Sequence, residues 1–176
     1  MSTEITSQQR RVYAGYAGKP NPTERERIMH LLDVYRSTEG FVSTYLPRWI
    51  EVSQHEGVKG GLAVVQQREA LHARVMKARL LALGGSPRAK VPEERRQKEI
   101  PFFGSPDRSD VEKLQALDRL FGDAEEFMKP VIDLATEIQD DQQTKELLWG
   151  IIDDERASIR WIKGMYERLR ATEGMV

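Results

Sequence analysis

The 176-residue chain has no cysteine. Disulfides, thiolate zinc sites, iron–sulfur clusters and thiol catalysis are therefore all excluded. A large charge of either sign is also missing: 27 Lys and Arg stand against 28 Asp and Glu, for a net charge of −1. No global field draws the chain to nucleic acid or to an anionic membrane, and neither is expected as a partner. No apolar run approaches the roughly 20 residues that span a bilayer. The stretch "MSTEITSQQRRVYAGYAGKPNP" lacks the apolar core of a signal peptide, so a cytoplasmic location is the expectation. What is present is 39% hydrophobic, 31% charged and only 7% aromatic, the balance of a helix-rich protein with one real core.

Residues 1–22 read as a polar, irregular arm carrying Gly15, Gly18, Pro20 and Pro22, with Tyr13 and Tyr16 as docking points. Residues 23–176 read as one helical domain. Thr23 with Glu26 forms a capping box, and a helix over about 24–54 follows. Its inward stripe is Ile28, Leu32, Tyr35, Glu39, Val42, Leu46 and Trp49. Steps of four and three keep these on one face, and Pro47 is expected to bend the end. After a turn at "SQHEGVKGG", a second helix over about 61–83 carries Leu62, Val65, Glu69, His72, Met76, Leu80 and Leu83. Gly84, Gly85 and Pro87 stop it. Residues 86–108 show no steady period, and so long a connection needs a reason, which a crossover along the length of a bundle supplies.

A second capping box, Ser109 with Glu112, opens a third helix over about 109–138. Its stripe runs Leu114, Leu117, Phe121, Ala124, Glu125, Met128, Ile132, Ala135, Ile138, with Pro130 as a bend. Phase favours Glu125 over Glu126 as the inward acid. Asp140 or Asp141 caps a fourth helix over about 142–171, with Leu148, Ile151, Glu155, Ser158, Ile162, Met165 and Leu169 inward. No strand-like alternation occurs. Short links within each pair and one long link between pairs predict an all-α antiparallel four-helix bundle, in which helix 3 starts at the end where helix 2 started.

Each stripe places a carboxylate inward: Glu39, Glu69, Glu125 and Glu155. The spacings from Glu39 to Glu69 and from Glu125 to Glu155 are both 30 residues. An unpaired buried carboxylate costs several kcal/mol, and clustering like charges adds to that. A pair of divalent metal ions would offset the charge, and carboxylates with imidazole suit iron or manganese. His72 lies one turn after Glu69, so both can reach one ion.

At these residues the chain resembles the ferritin-like superfamily of di-iron carboxylate proteins, across about residues 23–171. That pattern is a Glu on helix 1, Glu-x-x-His on helix 2, a Glu on helix 3 and Glu-x-x-His on helix 4. Here it reads Glu39, "EALH" at 69–72, Glu125, and "ERAS" at 155–158. The resemblance implies a non-haem dinuclear iron or manganese centre on Glu39, Glu69, His72, Glu125 and Glu155, with Tyr35 and Ser158 around it. It also implies oxidoreductase chemistry on oxygen or peroxide, or ferroxidase chemistry. Ser158 stands where a second His is expected and is a poor ligand, so a single site on the His72 side is an alternative. Asp154 is an off-phase substitute. Rubrerythrin-type peroxidases carry a cysteine-ligated iron domain; without cysteine, electrons would come from a partner or from ferrous iron itself. Only "ATEGMV" follows helix 4, so the short fifth helix of the storage cages is not expected.

The competing reading is a metal-free bundle acting as a binding or structural module, its acids paired with Arg36, Arg68, Arg74 and Arg156 folded inward. The patch "IPFFG" either covers one end of the bundle or contacts a second subunit in a homodimer.

Overall fold

The computed structural model describes residues 22–173. Six helices make up the fold among them: α1 Glu24–Val52, α2 Glu56–Ala82, α3 Glu93–Gly104, α4 Asp110–Phe121, α5 Ala124–Glu137 and α6 Gln142–Glu173. The expected arm, with Tyr13 and Tyr16, lies outside the described residues except for Pro22.

Both capping boxes form. Thr23 accepts from the Glu26 N–H while Glu26 accepts from the Thr23 N–H, and Ser109 and Glu112 do the same at α4. Asp141 Oδ1 accepts from the Thr144 N–H at 3.0 Å, the N-cap geometry expected at α6. Three boundaries differ from expectation. Helix α1 ends at Val52, two residues short of the expected bound, α2 begins at Glu56 inside the expected turn, and the connection holds α3. The α3 segment has few apolar residues to show a period; its support is charge, with two acids in its first turn and an Arg95–Glu99 pair at 2.6 Å one turn apart.

The fourth difference is the largest. The third helix is two, α4 and α5, broken at Gly122, whose φ of 48° is one that glycine adopts without steric cost.

Contacts fix the directions. Arg25 at the start of α1 donates to the Leu83 carbonyl beyond the end of α2 (2.6 Å), so these two run antiparallel. Gln115 donates to Tyr166 Oη and Glu125 pairs with Arg156, so α4 and α5 both run antiparallel to α6. Ser53, between α1 and α2, donates to Asp110 at the start of α4 (2.8 Å); α4 thus begins at the end where α2 began, as a lengthwise crossover requires. The crossover follows α1. Asp33 accepts from the Arg88 and Ala89 N–H groups, and Phe103 stacks on Tyr45 and Trp49. Phe103 is buried, so the "IPFFG" patch covers part of this core.

The core falls into two apolar clusters. One gathers Leu32, Met76, Leu80, Val131, Ala135 and Ile152; the other gathers Leu46, Trp49, Leu62, Val65, Leu117 and Ile162. Each fully buried aliphatic side chain contributes about 1.5–3 kcal/mol. In α1, α2 and α6 the gap between the clusters is the stretch that carries Glu39, Glu69 with His72, and Glu155.

Helices α2 and α6 meet at Gly61, where an added Cβ would stand 1.8 Å from Trp161 Cζ2. Alanine exceeds glycine in helix propensity by only about 1 kcal/mol. The clash with a rigid indole outweighs that gain. Gly61→Ala is expected to lose about 1–3 kcal/mol, read as a lower urea midpoint at unchanged m value.

Candidate metal centre

Glu39 sits mid-way along α1, Glu69 and His72 one turn apart on α2, and Glu155 in the first half of α6. The first three are 7%, 6% and 2% exposed. Glu39, His72 and Glu155 each offer one ligand atom, and these atoms lie within 4.8 Å of one another. His72 Nδ1 is 3.2 Å from Glu155 Oε1 and 3.9 Å from Glu39 Oε2. All three atoms are buried and none has a partner in hydrogen-bond geometry. Buried polar atoms are ordinarily satisfied, so three orphans aimed at one another are a signal.

The other face of the imidazole is occupied. His72 Nε2 is 3.2 Å from Asp154 Oδ2, and Asp154 in turn lies 3.4 Å from Arg68 Nε. That carboxylate holds the Nε2 side of the ring and leaves Nδ1 facing the cluster. Ligating histidines are oriented in this way. Asp154 is off the inward stripe, as its sequence position indicates, and acts on the ring from the side.

Glu69 lies against Glu39. Burial, then the charges of Glu39 and Glu155, then a hydrogen bond shared with Glu39 push its pKa well above the ordinary value. Burial and the charge of Glu39 push Glu155 up to about 7, against an opposing effect of His72. Burial pulls the His72 pKa down, but Glu155 and Glu39 outweigh it and raise it to about 10. Of the arginines considered above, Arg156 pairs with one of the four acids, Glu125, at the surface, and the others do not. Arg36 pairs with Asp33, Arg68 with Asp154, Arg156 with Glu125, and Arg74 is exposed. Among the described residues no lysine or arginine forms an ion pair with Glu39, Glu69 or Glu155.

Two expected members stand apart. Glu125 is exposed, and its carboxylate takes two hydrogen bonds from Arg156, at 2.7 and 2.8 Å. The inward reading of Glu125 carried the phase from Phe121 through one continuous helix. The break at Gly122 resets that phase. Met128, Val131 and Ala135 set the buried face of α5, and one turn before them comes Ala124. Ser158 is buried and inward, as expected, and accepts from Arg68 Nη1 at 3.1 Å. Tyr35 is half-buried, packed on the first apolar cluster. Asp154 is the contributor that phase alone does not find, although it directly precedes Glu155.

Comparison of the chain with protein-family models, with curated proteins and with solved structures finds no match.

The three raised pKa values give a pH dependence with one sign. Each group binds its proton more tightly folded than unfolded, so stability is present at low pH and lost as pH rises. For Glu155 the loss runs between 4.5 and about 7, and for His72 between 6.5 and about 10. The metal-free protein is therefore expected to lose several degrees of Tm between about pH 5 and pH 9. Glu155→Gln should reduce the lower part of that slope and leave the share of Glu69. A Tm independent of pH over this range would show that the cluster is solvated.

Proposed function

We propose that the chain is a ferritin-like carboxylate bundle that holds a divalent iron or manganese ion between Glu39, His72 and Glu155. The observation that carries this is the convergence of three buried, unpartnered ligand atoms from three helices. Two carboxylate oxygens and one imidazole nitrogen suit iron or manganese. The order of the helices, the lengthwise crossover and "EALH" agree with the ferritin-like pattern. A single ion is the stoichiometry this donor set favours. Of the donors for a second, Glu125 is a surface ion pair and position 158 is a serine hydroxyl bonded to Arg68.

When bound, such an ion supplies one-electron redox chemistry and Lewis acidity, as in oxidoreductases acting on oxygen or peroxide and in ferroxidases. The chain supplies the rest. Glu39 and Glu155 would offset the ion's charge and His72 would hold it through Nδ1, with Asp154 orienting the ring at Nε2. Glu69 lies against Glu39, where burial and the neighbouring carboxylates raise its pKa well above the ordinary value in the metal-free chain. The apolar clusters on either side keep water out. Electrons come from a partner protein or from ferrous iron.

One observation favours the alternative, a metal-free bundle serving as a binding or structural module. With its pKa at about 10, His72 can itself be the cation among the carboxylates.

Anaerobic loading with ferrous iron or Mn(II) followed by elemental analysis separates the readings. A single ion per chain is expected. His72→Ala should abolish retention, and Asp154→Asn should weaken it by about 10–100-fold. Metal at 100 times its Kd should stabilise the fold by about 2.7 kcal/mol. Wild-type protein that stays metal-free establishes the alternative.

A further inference from the structure

Beside the cluster lies a cavity of about 100 Å³. Glu39, Glu69, Glu155 and Ser158 line one side of it. The remaining lining is mostly apolar, with Leu62 and Val65 from α2, Leu117 from α4, Met128 from α5 and Ile159 from α6. Phe121 and Phe127 also line it, from either side of the break at Gly122, and meet edge to face at 5.1 Å. The break that turns Glu125 out to Arg156 thus brings an aromatic pair to the cavity. Ser158, in place of a second histidine, leaves room on the α6 side. The half of the site away from His72 has apolar walls and space where donors were expected.

Protein interiors leave few voids larger than a water molecule, and a void lined by aliphatic and aromatic groups stays dry. This one is of the order of the roughly 150 Å³ engineered void that admits benzene or xenon. Its apolar walls with a few convergent polar groups at one side are the usual make-up of a small-molecule site. An anionic occupant would meet three carboxylates and lose its hydration against the apolar walls without an equivalent return.

We infer that this cavity binds a small uncharged apolar molecule, at most about a single ring in size, held against the carboxylates of Glu39, Glu69 and Glu155. Binding itself does not depend on metal. The role of the cavity as a substrate position rests on the metal reading above, with the ion on the His72 side and the organic molecule on the Ser158 side.

Fluorobenzene, followed by ¹⁹F NMR, is the probe. The metal-free wild-type chain should show saturable binding, with nuclear Overhauser effects from the ring protons to the Met128 methyl group. Ile159→Phe, which fills the cavity, should weaken binding at least tenfold while the helical circular dichroism is kept. If that variant does not fold, the Overhauser contacts in the wild type decide the location. No saturable binding up to the solubility of the probe overturns the inference. So do ring contacts that avoid Met128, or undiminished binding by a folded Ile159→Phe chain. In manganese-loaded protein the bound ¹⁹F line should broaden through proximity to the paramagnetic ion; an unbroadened line overturns the substrate role. Uptake of Mn(II) without fluorobenzene binding sinks this inference alone. Fluorobenzene binding without Mn(II) uptake sinks the metal reading and leaves the cavity as a site.

Discussion

Burying carboxylates is the constraint around which this fold is organised. Glu39, Glu69 and Glu155 come from three different helices, and the imidazole of His72 lies 3.9 and 3.2 Å from Glu39 and Glu155. In water each acid would be ionised and hydrated. Here that state is costly, and the chain offsets the cost by keeping a proton on Glu69, by raising Glu155, and by holding His72 between carboxylates. The apolar clusters flank the layer above and below. The cost of this arrangement for the metal-free chain is the ground on which a divalent cation is proposed as its complement.

The layer is lopsided. On one side Arg68, Asp154 and His72 form a chain of contacts that fixes the imidazole and directs its Nδ1 inward. On the other, the residues that would have completed a symmetric centre have gone to other partners. Glu125 stands outside with Arg156, and Ser158 bonds to Arg68. One glycine accounts for much of the difference. Gly122 ends α4, resets the phase of α5, and replaces a carboxylate in the interior with Phe127 and Met128. The break that leaves Glu125 outside also sets Phe121 and Phe127 at the cavity.

Much of the architecture was legible because it follows from local rules. Thr23–Glu26 and Ser109–Glu112 announce helix starts through side chains three residues apart. The stripe from Leu62 through Leu80 follows a strict helical period, and every residue in it is buried. Glu39, Glu69, His72 and Ser158 were found inward by the same period. Helix α3 was not legible, since it docks on α1 largely through Phe103 and is otherwise a charged, solvated turn sequence whose period is faint. Glu125 was misplaced because phase is a local quantity that a single positive-φ residue interrupts; Gly122 followed by the N-cap Asp123 is the local signal of that break.

What the amino-acid sequence determined by itself was therefore the all-helical class, the direction and pairing of the long helices, and the presence of acids with one histidine on buried faces. Period and capping act between residues on the same turn, so they can be read from the chain. Which acids meet was decided only by the tertiary structure. The distances from His72 to Glu39, Glu155 and Asp154, the exclusion of Glu125, and the space left beside Ser158 depend on how helices rotate and break against one another. That rotation is set by packing across the whole core.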